Sequence, residues 1–477
     1  MTLHIYDTLS RTKKPLQPEH PDKVNMYVCG PTVYGYIHIG NARPAIVFDV
    51  VRRYLETTGY EVQYVMNFTD VDDKLINKAN EMNLTVPEVA NRFIEAYYED
   101  TDALGIQRAT INPRVTEHMD QIIAFISGLV DKGFAYESGG DVYFHTKKFP
   151  DYGKLSHQNL DELQFGIRIE VDARKESAED FVLWKAAKPG EIAWPSPWGE
   201  GRPGWHIECS AMAHQYLGDT IDIHGGGQDL QFPHHECEVA QSECMTGKPL
   251  ANIWMHNGYI NINNEKMSKS LNNGILVKDL RTTYNPAAIR YFMLSTHYRN
   301  PLNFTNEAMQ QAVNSQERLA NAFGNVKHAL QAAGVQSVDE AREASGEPNA
   351  ELQAKMAGIL EAFDAKMQDD FNTADAITAM FEWASEANVY VQQKGEQVEA
   401  ADLLLIMDTF EAMNGVLGLV ADQEDELLDE EIDQLIQERT DARKAKNWAR
   451  ADEVRDLLTA KGIVLEDTPQ GVRWKRA

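Results

Sequence analysis

Cysteine is scarce: Cys29, Cys209, Cys237 and Cys244 are the only four in 477 residues. Thiols so few and so scattered cannot form the dense disulfide framework of a small secreted protein, so a reducing compartment, by default the cytoplasm, is expected. No stretch offers the roughly 18 uninterrupted apolar residues of a membrane span. The opening Met1 to Lys14 has no apolar signal-peptide core, so a soluble protein with no membrane partner is expected. Cys-x-x-Cys is absent, which removes zinc-finger spacing. Positive charge is also short: 45 Lys and Arg face 73 Asp and Glu, a net charge of −28. A field of that sign repels polyanions and excludes a basic nucleic-acid coat, so a nucleic acid must be met by local patches. One patch exists, because Arg439 to Ala477 carries ten basic and six acidic residues, whereas Glu424 to Glu438 holds eight acids and no base and reads as a solvated linker or helix start.

What remains is globular, with 43% hydrophobic and 25% charged residues. At roughly 150 residues per domain the length predicts about three domains, each able to bury a core without metal. Any metal is therefore a question of function. Residues 25–30 read as a short buried strand, a Pro/Gly-punctuated loop runs through Gly40, and an amphipathic helix is predicted from Arg43 to Thr58. A second strand over Tyr60 to Phe68 completes the opening of a nucleotide-binding α/β sheet. Helices are predicted near Val86 to Leu104 and Thr116 to Lys132, followed by a Pro-, Trp- and Gly-rich irregular section, Lys148 to Gly204, read as an insertion. The α/β pattern resumes with a strand at Thr220 to His224, a Gly225-Gly226-Gly227 turn, a helix from Pro233 to Met245 and a strand at Ile253 to Met255. Helical periodicity then dominates: Ala308 to Ala333, Ala350 to Met367, Thr373 to Gln393 and Val398 to Leu417.

Three constellations carry chemistry. Pro31 to Asn41 lies between a strand and a helix, where backbone N–H groups and the positive helix end favour phosphate. There His38 can donate to phosphate oxygens, Gly40 permits close approach and Asn41 suits the helix cap. Taken alone, these residues are equally an ordinary strand-to-helix turn. Glu265-Lys266-Met267-Ser268-Lys269-Ser270 packs two lysines and two hydroxyls into a polar loop able to neutralise a departing polyphosphate. Paired with the His38 turn, it would bracket a nucleotide from both sides. The third set is Cys29, Cys209 in Gly204-Trp205-His206-Ile207-Glu208-Cys209, and Pro233-His234-His235-Glu236-Cys237-Glu238. His234 and Glu238 are four apart and share a helical face, so two thiolates, an imidazole and a carboxylate would suit Zn²⁺. Cys237, three from His234, is an alternative to Glu238 at this point. Cys244 and Cys237 read more simply as small buried hydrophobes.

On these motifs the chain resembles cysteinyl-tRNA synthetases, which are class I aminoacyl-tRNA synthetases, over essentially its whole length. Pro31 to Arg43 resembles the family's first signature and Lys266 to Ser270 its second. Asp180 to Lys185, Pro197 to Gly199, Gly201 to Ala211 and Asp370 to Ala376 resemble stretches peculiar to the cysteine enzymes. Three positions depart: Asn41 where the general class I signature has a second His, Cys237 where a polar residue is expected, and Asn272 where Gly is usual. The resemblance implies a Rossmann-like catalytic domain over 1–285 with an insertion at about 105–200. It also implies a stem-contact linker over 286–345, a helical bundle over 346–420 and a small anticodon-binding domain over 421–477. It implies zinc on Cys29, Cys209, His234 and Glu238, and ATP gripped by Lys269 with His38, Lys266, Gly40 and Asn41. The expected activity is ATP- and Mg²⁺-dependent activation of L-cysteine and its transfer to tRNA(Cys) by a monomer, with zinc selecting the thiolate. Trp205 and His224 are expected to wall the pocket and Thr69 or Asp229 to receive the substrate ammonium. Trp448 and Trp474, among basic residues such as Arg443, Arg450 and Arg473, are candidates to stack on unpaired RNA or to pack in a core. Three competing readings are an amino-sugar ligase that activates cysteine in the same way, a non-catalytic zinc-dependent RNA-binding relative and a purely structural zinc protein. The tail from Glu424, the intact lysine motif with His38, and Glu238 with its scattered cysteines argue against them in turn.

Overall fold

The computed structural model describes residues 2–159, 174–267, 274–335, 337–344, 346–421, 426–445, 447–460, 463–468 and 471–476. In Lys23–Val28 the last three residues are all buried, the mark of a strand covered on both faces. It pairs in parallel with Glu61–Met66 on one side and Ile221–Gly227 on the other, and Ala251–Asn257 adds outside the latter. From the two central strands the chain departs to opposite edges. This leaves a crevice at their carboxyl ends, the switch point at which open α/β sheets take ligands.

The first helix, Ile39–Thr57, begins four residues before the predicted Arg43. His38 is its N-cap in extended backbone, and Asn41 is not the cap: it sits in the first turn, where its Oδ1 accepts the His38 N–H at 3.2 Å. The Gly225–Gly227 run is strand and not a turn. A Cβ on Gly225 would lie 2.2 Å from Phe48 Cζ, so the glycine lets the first helix lie directly on the sheet backbone.

The predicted irregular section also contains regular structure. Phe181–Ala186 and Gly201–Pro203 extend the hairpin of Ala135–Ser138 and Asp141–Phe144 into a four-stranded antiparallel sheet. These strands escape a period-two search because Leu183 and Trp184 are consecutive and both buried. Trp184 also packs where a side chain on Gly201 would have to be.

Beyond the sheet, helices at Asn306–Ala332, Ala350–Gln368, Thr373–Lys394 and Ala400–Leu417 follow the predicted periodicity to within two residues at each end. Asp370, wholly buried with φ +64°, ties this region to the rest. Its carboxylate accepts from Tyr6 N–H (2.8 Å), Tyr298 O–H (2.6 Å) and Arg299 Nε–H (2.7 Å).

The chain divides into two compact units, Met1–Val420 and Ala421–Ala477. The second comprises helices Glu426–Lys444 and Trp448–Ala460 and a hairpin of Ile463–Thr468 with Gly471–Arg476. The acidic run from Glu426 is thus helical. Ile432, Val454, Leu458 and Ile463 make its core, and Trp474 packs against them while Trp448 is 60% exposed, so the two tryptophans differ in role. Among the described residues no helix is long and apolar enough to cross a membrane.

Candidate active site

Cys29 follows directly on the central strand Lys23–Val28, at the mouth of the crevice. Cys209 comes from the helix Trp205–Leu217, and His234 and Glu238 come from the segment after Ile221–Gly227. Gln231–His235, with extended backbone at Phe232 alone, runs directly into the regular helix Glu236–Thr246, so the helix predicted from Pro233 spans both. The four-residue relation survives nonetheless, since His234 Nε2 is 3.0 Å from Glu238 Oε1. Cys29 Sγ lies 3.1 Å from that oxygen and 3.5 Å from Cys209 Sγ. One ligand atom from each of the four falls within 4.8 Å of the others. Two sulfurs, one imidazole and one carboxylate converging from three elements fit a tetrahedral, borderline-soft cation.

The charges are organised accordingly. Burial pushes the Cys29 thiol well up, and Cys209 and Glu238 push it further. Burial also acts to raise Cys209, but hydrogen bonds with Cys29 and His234 outweigh it and hold that thiol down at about 6. For His234 burial works against the cation, yet hydrogen bonds to Cys209 and Glu238 lift it to about 10. Glu238 is held well below the usual carboxylate range because His224 and His234 overcome its burial.

His224, expected to wall a pocket, is wholly buried. Its Nε2 is 2.7 Å from Glu238 Oε2, and its ring stacks on Trp254 at 4.3 Å. Cys29, His224, His235 and Glu238 form a second, overlapping group with metal-binding spacing. Cys237 belongs to neither group: its thiol, 3.3 Å from the Tyr152 hydroxyl, faces the antiparallel sheet side. Trp205, 39% exposed, lies over the His234 ring with centroids 4.2 Å apart, an aromatic lid beside the donor set. Thr69 is buried and donates to Glu208 Oε2 at 2.9 Å, whereas Asp229 is exposed in the turn Gln228–Leu230 and folds over Gly227.

Sequence reasoning left three contributors unassigned. His206 places Nδ1 2.9 Å from His234 Nδ1, Glu208 engages Thr69, and Asn67 Oδ1 accepts from Gly30 N–H at 3.0 Å and Tyr27 O–H at 3.1 Å beside Cys209. His206 and Glu208 flank the cysteine in a motif already singled out, which is the one signal that pointed to them.

The nucleotide-side motifs also meet. A Cβ on Gly40 would stand 3.0 Å from the His38 ring and 3.0 Å from Met267 Cε. Ile39 N–H donates to Ile275 O (2.9 Å) and Val277 N–H to Ile37 O (3.0 Å). The described chain on either side of 268–273 therefore lies against the His38 turn, by packing at Met267 and by hydrogen bonds at 275–277. Lys266 Nζ sits 4.5 Å from the centre of the Tyr259 ring. Lys269 and Asn272 lie outside the described residues.

Comparison with known proteins sets this geometry in a family. Residues 15–314 match the model of the tRNA synthetases class I (C) catalytic domain, 362–421 the DALR domain, and 425–474 the cysteinyl-tRNA ligase anticodon binding domain. A cysteine–tRNA ligase of Geobacillus thermodenitrificans is 57% identical over 475 residues, covering 100% of this chain and 99% of the relative. The chain belongs to the cysteine–tRNA ligase family. The family's counterpart in Bacillus cereus is 58% identical over 476 residues, with 100% of both chains covered. Among solved structures, a Mycobacterium tuberculosis methionyl-tRNA synthetase in complex with methionyl-adenylate superposes with a TM-score of 0.59 at 16% identity, over 83% of this chain and 90% of that one. A putative arginyl-tRNA synthetase from Campylobacter jejuni gives 0.55 at 14% identity, over 85% and 94%. The class I synthetase fold is therefore shared well beyond the cysteine–tRNA ligases.

Proposed function

We propose that this chain is a cysteine–tRNA ligase whose Cys29, Cys209, His234 and Glu238 hold zinc and whose His38 turn and lysine segment hold ATP. The convergence of two thiols, an imidazole and a carboxylate at the sheet's switch point, beside a His38 turn hydrogen-bonded to the chain at 275–277, carries the reading. A carboxylate oxygen of L-cysteine attacks the α-phosphorus of ATP, the bond to the β-phosphate breaks and pyrophosphate leaves. The ribose hydroxyl at the tRNA 3′ end then attacks the activated carbonyl carbon and AMP leaves. No protein nucleophile is needed, so the chain's contribution is position and charge. His38, Lys266 and Lys269 face the phosphates as negative charge shifts onto pyrophosphate, and Mg²⁺ accompanies the nucleotide. Gly40 and Asn41 shape the turn that receives it.

Zinc held by Cys29, Cys209, His234 and Glu238 would supply a borderline-soft Lewis acid that attracts the substrate thiolate well and a hydroxyl poorly. A site built for one such group discriminates against its lookalike by about 10⁴-fold or more, so serine is rejected without editing. His224 holds Glu238 in its orientation, Trp205 covers the pocket, and either Asp229 or Thr69, which is paired with Glu208, receives the ammonium.

In this reading 1–285, with its insertion at about 105–200, performs the chemistry. Residues 286–345 contact the tRNA stem, 346–420 form the bundle, and 421–477 bind the anticodon, the enzyme working as a monomer in the cytoplasm. The test is transfer of labelled cysteine to unfractionated tRNA with ATP and Mg²⁺, with serine as control. Charging with cysteine alone is expected. Cysteine-dependent pyrophosphate exchange without charging would instead indicate another acceptor.

A further inference from the structure

We propose that Arg43 is a positioning residue for adenylate formation, its guanidinium clamping the strand that leads into the lysine segment onto the helix that begins at His38. The proposal rests on the reading of the His38 turn and lysine segment as the nucleotide site. Arg43 is wholly buried. Its Nη1 donates to the carbonyls of Gly258 (2.8 Å) and Tyr259 (3.0 Å), and its Nη2 to that of His297 (3.4 Å). Among the described residues no carboxylate forms an ion pair with it, and burial draws the guanidinium down to about 10, which leaves it charged at neutral pH. A buried cation without a counter-ion is a poor way to stabilise a fold, because an apolar side chain of similar volume avoids the desolvation cost. What the arrangement does supply is a rigid fork that fixes two chain segments at once.

One of the two, Gly258–Tyr259, is a segment adenylation needs. Gly258 and Tyr259 directly precede Ile260–Ile262, whose hairpin partner Glu265–Lys266 runs into Met267. Lys266 Nζ rests over the Tyr259 ring, so the residue whose carbonyl Arg43 holds also supports the first lysine. Gly258 cannot slide: its N–H donates to Tyr298 O at 2.8 Å, and a Cβ there would lie 2.5 Å from Asn300 O. On the other side Arg43 is three residues, almost one turn, past Gly40, against which Met267 packs. The lysine segment is thereby tied to the His38 helix at Gly40 and again, one turn deeper, at Arg43.

Arg43→Lys separates clamp from charge, since one ammonium keeps the charge but cannot span carbonyls on two segments. Arg43→Met removes both, and if it fails to fold, Arg43→Lys still decides. The maximal rate of cysteine-dependent ATP–pyrophosphate exchange in Arg43→Lys is expected to fall about 10- to 100-fold, the scale of an ångström-sized misplacement. KM for cysteine and zinc content should stay within about twofold of wild type if only positioning is lost. Amide hydrogen exchange should quicken at 258–262 and stay unchanged at 236–246. An unchanged rate in folded Arg43→Lys overturns the proposal. So does a fall in which zinc content and cysteine affinity decline in step, because that is general destabilisation. If wild type itself shows no cysteine-dependent exchange, the reading of the site has failed and amide exchange alone judges the clamp: equal rates at 258–262 in wild type and Arg43→Lys overturn it.

Discussion

Asp49→Asn isolates the cost of stranding a buried charge. Asp49 and Arg290 are both fully buried, and Arg290 Nη2 lies 2.5 Å from Asp49 Oδ2. The same oxygen accepts from Arg53 Nε–H at 2.9 Å, and Oδ1 accepts the Gln107 N–H at 2.9 Å. Arg290 further donates to Leu417 O at 2.6 Å, so the pair joins the His38 helix to the last turn of Ala400–Leu417. Asparagine keeps the shape but removes the anion and turns an amide N–H₂ toward existing donors. Removing one partner of a buried pair costs about 3–5 kcal/mol, chiefly through the uncompensated charge left behind. The unit Met1–Val420 contains 420 residues. At about 2.1 cal/mol/K per residue its unfolding entropy is about 0.9 kcal/mol/K, so the expected fall in Tm is about 3–6 °C. Scanning calorimetry of wild type, Asp49→Asn, Arg290→Met and the double variant measures it. The double variant should lose less than the two singles together, by about 1–3 kcal/mol. A Tm for Asp49→Asn within about 1 °C of wild type, or strict additivity of the singles, would refute the reasoning.

Glu238→Gln should lower zinc affinity at least about 10- to 100-fold, because it discharges the carboxylate that faces His234 at 3.0 Å and His224 at 2.7 Å. Unchanged metal content by atomic absorption together with unchanged cysteine-over-serine selectivity would remove Glu238 from the ligand set. Asp7 accepts from Lys14, Trp254 N–H and Ser10 N–H, which outweigh the opposing effect of burial and hold its carboxyl below the unfolded value of 3.8. A depressed carboxylate contributes stability that is complete above that unfolded value and is lost as pH falls through the lower folded one. Asp7→Asn should therefore flatten the acid branch of a urea-midpoint titration, and parallel curves for the two proteins would exclude the assignment. Truncation ahead of Ala421 should weaken tRNA binding at least about tenfold while pyrophosphate exchange stays within about twofold, since 421–477 is a compact unit with its own core. Undiminished tRNA affinity in a filter-binding assay would separate this unit from tRNA recognition.

What the sequence made legible were the residues whose chemistry demands a rare type at a fixed spacing. His234 and Glu238 could be placed together because a period of 3.6 brings positions four apart onto one face, and their atoms meet at 3.0 Å. The same period fails to separate Cys237 from Glu238, since positions three and four away are both neighbours of His234. What decides is the packing of the helix: Cys237 is turned to Tyr152, an interaction 85 residues apart in the chain. Long apolar stripes also gave the C-terminal helices, because a helix that buries one face repeats its pattern over many turns.

The features that stayed hidden are those in which tertiary packing overrides a local signal. Three consecutive glycines signal a turn, yet Gly225–Gly227 is strand, with Phe48 in the space a side chain on Gly225 would fill. Proline, glycine and tryptophan around Phe181–Ala186 signal irregular chain, yet the segment pairs on both sides within a sheet. Arg43 shows the limit most clearly. In the sequence it stands only as the end of a signature and the start of a helix, and nothing local says that its partners are three carbonyls more than 200 residues away. A motif can announce which groups must face a substrate. The long-range contacts that fix where those groups stand become visible only once the fold has brought the distant segments together, so a reading from sequence recovers chemistry sooner than it recovers geometry.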